Sequence, residues 1–576
     1  MHPDDLNLAF TRSLADALAT LGLRHVCISP GSRNTPLIVA FAEHPDIRDW
    51  SHHDERNAGF FALGLAKASG TPVALVCTSG TAAAEYLPAV VEAHHARVPL
   101  LVLTADRPPE LRDVGAPQAI DQVKLYGDAV KWYHGAGSPD VSQVRHAPSL
   151  AAHAWAEAAE APAGPVHLDL AFREPLAPRH RGAGDSAGDS AGDMEGAAVP
   201  PRIELPMRHP SPTALADLAA ELSGRRTLFV VGEIPGSATG PVATLAATAG
   251  AVVFADPQSG LRSGQVEAAV VATADLLTAA GALDRNPPEI IVRWGPIPTS
   301  KSVWRWLEDH PDVPQVVVDP GGHRDPLHSA QVMMRTDVGS TASALPWLVE
   351  PADEDWAAGW RRTDDLAAAA LTTALGSEPF PNEPAVARTV MAAAPTGSLL
   401  FVGSSMPIRD IDAFGSPRPT TITILANRGA SGIDGTISTA LGATAAEGRP
   451  GIVLIGDVAA LHDLSALADA VRLRIPLTIV VVHNDGGGIF GLLDQADPER
   501  LDAELFERHI GTPHGVDLVA VAEAVGMEAA RTATVEELAS LVGAGEGPRL
   551  VEIRTDRSEL APRRHRLADA VAASLG

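Results

Sequence analysis

The chain has 576 residues, 45% hydrophobic and 20% charged, an ordinary globular composition with room for about three domains. Its formal net charge of −27 speaks against nucleic acid or anionic membranes as partners. The same charge repels anionic small molecules, so any anionic substrate must be held by specific cations; these are almost all arginine, with lysine only at Lys67, Lys124, Lys131 and Lys301.

In chain order, RHVCIS (24–29) is a short apolar strand and PGSRNTPL (30–37) is its loop. HHDERNAGFFALG (52–64) runs from strong charge into a small, apolar helix-like segment, with Glu55 at the seam. VALVCTSGT (73–81) is a strand entering a glycine turn, residues 82–95 form a helix, and VPLLVLTAD (98–106) and GPVHLDLA (164–171) are further buried strands. Strands separated by helices imply a parallel, doubly wound sheet. Cys27 and Cys77 lie inside these apolar runs and are expected to be buried small residues rather than a disulfide.

Residues 180–201, with the tandem GDSAGDSAGD (184–193), have no apolar face and are expected to be a flexible linker. A second α/β unit follows, with strands TLFVVGE (227–233), AVVFAD (251–256), EIIVRWG (289–295) and QVVVDP (315–320). It lacks GxGxxG at its first turn, so a dinucleotide is not indicated. A third unit has strands SLLFVGSS (398–405), TTITILANRG (420–429), GIVLIGD (451–457), LTIVVVHND (477–485) and RLVEIRTD (549–556). CISPGSRNTP and FVGSSMPIRD both end a strand in a Gly-Ser turn, which hints at two units built on one plan. The expected limits are 1–180 for the first domain, 181–203 for the linker, 204–350 for the middle domain, 351–380 for a connecting segment and 381–576 for the third domain. No apolar run approaches the roughly 20 residues of a membrane span, and the N-terminus lacks a signal pattern, so a cytoplasmic protein without stable membrane insertion is expected.

In GIVLIGDVAALHDL, Asp457 directly follows an apolar strand, and a second apolar strand ends 27 positions later at Asn484, before DGGGIF. That interval accommodates one strand–helix–strand crossover, with 461–472 as the helix, which brings both strand ends to the carboxyl edge where ligands bind. A carboxylate, an amide oxygen and a glycine-turn carbonyl are hard oxygen ligands suited to Mg²⁺ shared with phosphate oxygens, and the helix start after Gly456 offers N–H groups to a diphosphate. Two ordinary strand-end turns would explain the same residues. HHD (52–54) and the adjacent His94 and His95 lack the spacing of a helical metal site. TSGT (78–81) suits either an anion site or a helix cap.

GD followed at this interval by Asn, behind two apolar strands, resembles the thiamin diphosphate motif, with Val458 and Asp485 departing from the usual Gly and second Asn. SPGSRNTPL (29–37), HHDERNAGFFALGLAKASG (52–70), TADRPPELRDVGAPQAIDQ (104–122) and NRGASGIDGTISTALG (427–442) together resemble one family of such enzymes, the 2-succinyl-5-enolpyruvyl-6-hydroxy-3-cyclohexene-1-carboxylate synthases of menaquinone biosynthesis. The resemblance implies three doubly wound parallel-sheet α/β domains in the thiamin diphosphate-binding fold. It also implies a homodimer or homotetramer with the active site between subunits. Asp457, Asn484 and the Gly486 carbonyl would hold Mg²⁺, or Mn²⁺ in its place. Gly456, Asp457, Ile433, Ile489 and Phe490 would surround the cofactor. Glu55 would hydrogen-bond the aminopyrimidine ring and be the catalytic carboxylate. The implied substrates are 2-oxoglutarate and isochorismate, with Ser32, Arg33, Arg107, Gln118, Lys301, Ser405, Arg409 and Arg428 at the substrate-binding positions. In isolation each arginine is an ordinary surface charge or turn cap; Arg409 beside Asp410 would be a surface ion pair worth about 0–1 kcal/mol. The alternatives are an acetohydroxyacid synthase-type decarboxylase or carboligase, and a non-catalytic α/β module. The arginine set argues against a monocarboxylate substrate, and the joint presence of Glu55, Asp457 and Asn484 argues against a module without activity.

Overall fold

The computed structural model describes residues 3–177, 199–544 and 547–576. The expected linker over 181–203 lies almost wholly outside them; residues 199–203 carry neither helix nor strand. The chain divides into two compact units. The first comprises Met1–Pro206, Asn427–Gly448 and Asp463–Leu473, and the second holds the remainder.

The first unit contains one parallel sheet of β1 (His25–Ile28), β2 (Arg48–Ser51), β3 (Val73–Cys77), β4 (Leu100–Asp106), β5 (Trp132–Ala136) and β6 (Val166–Ala171), in the order β2-β1-β3-β4-β6-β5. β3, β4 and β6 are buried along their whole length, as parallel strands covered on both faces must be. Between β3 and β4 two helices, Thr81–Glu85 and Leu87–Ala96, replace the single helix expected over 82–95. Pro88 explains the break: it tolerates a helix start but removes an interior hydrogen bond.

Helix Glu55–Ser69 begins on Asp54, whose carboxylate accepts the Arg56 N–H, and ends at left-handed Gly70. Helix Thr436–Glu447 lies against it so closely that a Cβ on Gly64 would stand 2.0 Å from the Thr439 carbonyl, and one on Gly442 would stand 1.9 Å from that of Phe61. The segment Asp463–Leu473 is tied to the same unit by the buried His52–Asp469 pair at 2.8 Å. His52 of the HHD triplet is thus a structural partner.

The second unit contains two parallel sheets. One comprises β7 (Thr227–Val231), β8 (Val252–Ala255), β9 (Ala269–Val270), β10 (Ile290–Trp294), β11 (Gln315–Val318) and β12 (Val332–Met334), in the order β12-β11-β10-β7-β8-β9. The other comprises β13 (Leu399–Val402), β14 (Thr423–Leu425), β15 (Gly451–Gly456), β16 (Leu477–His483), β17 (Glu528–Arg531) and β18 (Arg549–Arg554), in the order β14-β13-β15-β16-β18-β17. Counted from its own first strand, this is the strand order of the sheet in the first unit. The expected helix over 461–472 is Ser465–Leu473, and a separate short helix, Asp457–Leu461, starts directly at the end of β15. Among the described residues no helix is long and apolar enough to cross a membrane.

Candidate active site

In the first unit the candidate residues gather on the carboxyl edge of the sheet. The strand order reverses between β1 and β3, the place where such sheets take ligands. Arg33 follows β1 and is only 6% exposed; its guanidinium donates to the Phe172 carbonyl at 3.0 Å and meets Glu174 at 3.3 Å. Burial, and next the nearby charge of Arg107, hold Arg33 below its ordinary pKa, so these two cations face one local region. Arg107 follows β4 and donates to the Pro117 carbonyl at 3.0 Å. Gln118 has φ 57° and donates to the Ser79 carbonyl at 3.0 Å, while the Ser79 hydroxyl donates to the Gln118 carbonyl at 2.8 Å. The TSGT turn is thereby latched to the Gln118 loop, and no side chain caps the helix after Gly80. Ser32 is exposed.

A buried carboxylate pair that sequence reasoning missed supports this edge. Asp106 accepts the Arg107 N–H at 2.7 Å and meets Arg112 at 2.6 Å; Asp169 meets Arg112 at 3.3 Å and accepts from Gln122 at 2.9 Å. Gln122 also accepts the Gly80 N–H at 3.0 Å, which joins both loops to the pair. Burial, and then the neighbouring Asp106, push the Asp169 carboxyl up to about 7. Asp106 ends an apolar strand, but nothing local shows its pairing with Asp169, which lies inside β6.

Glu55 opens helix Glu55–Ser69 and is half-buried. Burial raises its carboxyl pKa, opposed by its backbone hydrogen bond and reinforced by the charges of Asp54 and Glu85. Arg428 and the half-buried Ile433 lie in the loop before helix Thr436–Glu447. Glu92, 3% exposed, accepts the Gly429 N–H at 2.8 Å and the Ala430 N–H at 2.6 Å, so a helix of the first domain holds this loop. A Cβ on Gly429 would stand 2.5 Å from the Ala96 nitrogen, and one on Gly435 (φ 59°) would stand 2.0 Å from the Phe60 ring.

In the second unit the reversal of strand order lies between β13 and β15. Ser405 starts helix Met406–Phe414, and Arg409 donates to the carbonyls of Ser404 at 3.1 Å and Ser405 at 2.7 Å. Asp410, beside it in sequence, is buried and pairs with Arg564. Lys301 stands exposed at the start of helix Lys301–Asp309.

Asp457 is 2% exposed at the end of β15; one carboxylate oxygen accepts the Val458 N–H at 2.8 Å and the other accepts the Gly486 N–H at 3.0 Å. β15 and β16 are hydrogen-bonded neighbours, so the strand ends carrying Asp457 and Asn484 adjoin. The Oδ1 of Asn484 is buried without a hydrogen-bond partner, which is costly unless a cation is to be bound there. Gly486 has φ 135°, and a Cβ on it would stand 2.1 Å from the Gly511 carbonyl. Asp485, the departure from the usual motif, accepts the N–H groups of His514 at 3.0 Å and Gly515 at 2.8 Å and docks that segment on the turn. In front of Gly456 there is open space. Ile489 is half-buried and Phe490 is 38% exposed, both on the turn Gly488–Leu492.

Among the described residues, Asp457, His483 and His514 form one cluster whose ligand atoms lie within 4.8 Å of one another. Within it His514 is poorly placed as a ligand. The Nδ1 of His514 accepts the Val516 N–H at 3.0 Å, so neutral His514 carries its proton on Nε2, 3.3 Å from Asp457. The hard oxygens of Asp457, Asn484 and Gly486 fit Mg²⁺ better.

The chain matches three family models in sequence order: the N-terminal TPP binding domain of thiamine pyrophosphate enzymes over residues 9–125, the middle domain over 208–402, and the C-terminal TPP binding domain over 412–553. Two solved structures share the fold at 17% identity. They are a benzoylformate decarboxylase from Polynucleobacter necessarius (TM-score 0.67, covering 95% of this chain and 98% of that one) and a thiamine diphosphate-dependent 4-hydroxybenzoylformate decarboxylase from Rhodococcus jostii (TM-score 0.72, 95% and 99%). Among curated relatives, proteins named 2-succinyl-5-enolpyruvyl-6-hydroxy-3-cyclohexene-1-carboxylate synthase are 40% identical in Chloroflexus aurantiacus (95% of this chain, 93% of the relative) and 41% identical in Geobacillus kaustophilus (97% and 96%). The same name belongs to a relative in Halobacterium salinarum, 40% identical over 99% of both chains. With end-to-end similarity of this depth and all three thiamine pyrophosphate enzyme domains in order, the chain belongs to the 2-succinyl-5-enolpyruvyl-6-hydroxy-3-cyclohexene-1-carboxylate synthase family of thiamine pyrophosphate enzymes.

Proposed function

We propose that the protein decarboxylates 2-oxoglutarate and adds the resulting four-carbon unit to isochorismate in a 1,4 sense. The product is 2-succinyl-5-enolpyruvyl-6-hydroxy-3-cyclohexene-1-carboxylate, for menaquinone biosynthesis in the cytoplasm. The single observation that carries the cofactor side is the buried, unpartnered Oδ1 of Asn484 on the strand end next to Asp457. Asp457, Asn484 and the Gly486 carbonyl would hold Mg²⁺ or Mn²⁺, and Gly456, Ile433, Ile489 and Phe490 would line the cofactor. When bound, thiamin diphosphate supplies a nucleophilic carbon and an electron sink for loss of carbon dioxide.

Glu55 would hydrogen-bond the aminopyrimidine ring; half-burial, which raises its pKa, suits a group that shares a proton rather than a solvated charge. Both substrates carry two carboxylates, and an arginine fork matches a carboxylate through two parallel hydrogen bonds. Arg33 and Arg107, with Ser32 and Gln118, would receive carboxylates on the first domain's edge. Ser405, Arg409 and Arg428 would do so near the third, and Lys301 from the middle domain. Pairing arginines locally overcomes the repulsion of a chain with net charge −27. The active form is a homodimer or homotetramer with its site between subunits, and the domain limits are 1–180, 204–350 and 381–576.

The test supplies purified protein with thiamin diphosphate, Mg²⁺ and either 2-oxoglutarate or pyruvate, with and without isochorismate. Carbon dioxide release from 2-oxoglutarate, with product formation only when isochorismate is added, is expected. Release from pyruvate with no response to isochorismate would instead establish an acetohydroxyacid synthase-type activity.

A further inference from the structure

We propose that Arg262, in the middle domain, is a positioning residue for helix Met406–Phe414, and that the middle domain sets the placement of Ser405 and Arg409 through it. The proposal rests on the assignment of those two residues to substrate binding.

Arg262 is 3% exposed in the loop between β8 and β9. Its guanidinium donates to the Asp412 carbonyl at 2.9 Å, the Asp412 carboxylate at 3.1 Å, the Gly415 carbonyl at 2.9 Å and the Ala272 carbonyl at 3.0 Å. Asp412 lies in the last turn of helix Met406–Phe414, and Gly415 is its C-cap. A buried cation there satisfies carbonyls that the helix cannot satisfy itself and complements the negative end of its dipole.

The backbone of the same loop grips the chain that follows. The Arg262 carbonyl accepts the Arg418 N–H at 3.2 Å, and the Gly264 N–H donates to the Arg418 carbonyl at 3.0 Å. The Ser263 hydroxyl donates to the Ile422 carbonyl at 2.9 Å, and Gln258 donates to the Ala426 carbonyl at 3.3 Å, two residues before Arg428 in sequence. One middle-domain loop therefore fixes the segment 412–426 from the helix end to the exit of β14.

The lever is short and stiff. Nine residues of helix span about 13 Å, so a tilt of about 5° at the clamped C-terminal end moves the Ser405 end by about 1 Å. Displacements of that size at a positioning group cost large factors in rate or binding. Stability alone does not require this arrangement, because a buried ion pair can be replaced by well-packed apolar residues at little loss.

The test uses the full-length protein with thiamin diphosphate and Mg²⁺. Arg409→Met first identifies which anionic substrate, 2-oxoglutarate or isochorismate, has its KM raised. Arg262→Met is expected to raise that same KM about tenfold, with a smaller fall in kcat, unchanged cofactor affinity and partial recovery in Arg262→Lys. Arg293→Met removes another buried ion pair of the middle domain, that with Asp325, and is expected to lower thermal stability without moving KM. Wild-type KM values in Arg262→Met, or an equal KM rise in Arg293→Met, would overturn the proposal. If Arg409→Met leaves both KM values unchanged, the substrate assignment fails instead. Should Arg262→Met not fold, Asp412→Asn with Arg262→Lys takes its place, and wild-type KM values in both would equally overturn it.

Discussion

Glu92→Ala is expected to loosen the loop that carries Arg428 and Ile433. The Glu92 carboxylate takes two successive backbone N–H groups, from Gly429 and Ala430. Hydrogen bonds to a charged group are worth about 1.5–3 kcal/mol each. Ala430 is exposed, so water replaces part of its lost bond; Gly429 is packed on Ala96 and has less recourse. A local loss of about 2–3 kcal/mol follows, which corresponds to about 30- to 150-fold faster amide exchange. Glu92→Gln keeps one acceptor oxygen but turns an amide NH₂ toward the second donor, so about tenfold faster exchange is expected. Hydrogen–deuterium exchange resolved over residues 427–435 reads this directly, with residues 227–231 of β7 as an internal control. Thiamin diphosphate affinity measured on the same samples should fall in the same order. Unchanged protection at 427–435 in Glu92→Ala would refute the claim that this carboxylate orders the loop.

Glu55→Gln should still bind thiamin diphosphate in calorimetry but lose at least about 100-fold in turnover, the usual scale for a proton-handling group; near-wild-type turnover would remove the carboxylate from the chemistry. Asn484→Ala deletes a buried oxygen that has no protein partner, so apo stability should hardly change while the Mg²⁺ or Mn²⁺ needed for cofactor binding rises about tenfold or more; an unaltered cation requirement would show that Asn484 is not a ligand. For pH, Asp169 titrates at about 7 in the folded chain, above its ordinary carboxylate value, so the native state binds the extra proton. Stability from this group is then fully present below the unfolded pKa near 4 and is lost as pH rises toward about 7. Asp169→Asn should flatten the fall in unfolding midpoint between pH 4.5 and pH 7.5, to be checked by thermal melts across about that range; a slope equal to the wild type would mean the buried pair takes up no proton.

Central strands were legible in the sequence because burial on both faces forces an unbroken apolar run, as in LLVLTAD of β4 and LTIVVVH of β16. The strands that escaped, β2, β5, β9, β12 and β17, all lie at sheet edges. There RDWS and EAAR face solvent on most positions and carry charge, so no run betrays them. The site divides in the same way. Asp457 and Asn484 were legible because each ends such a run at a crossover interval. Glu92, Asp106, Asp169 and Arg262 were not, because each acts on backbone or side chains remote in sequence, and no local spacing records a partner 150 positions away, as with Arg262 and Asp412. The neighbour of Arg409 shows the same thing: Asp410 pairs with Arg564, 154 positions away.

Two sheets of identical strand order differ in what terminates their strands. In both, the order reverses beside the first strand, the place where parallel sheets take ligands. In the first domain, β1 and β4 lead into Arg33 and Arg107, and the inner carboxylates Asp106 and Asp169 turn inward to brace the loops. In the third domain, β15 and β16 lead into Asp457 and Asn484, and a glycine turn too crowded for any Cβ carries the next carbonyl. Arginine forks match carboxylates, whereas hard oxygen ligands suit a divalent ion and its phosphates. On the proposed assignment, one backbone plan would serve carboxylate substrates at one edge and a divalent ion with its phosphates at the other.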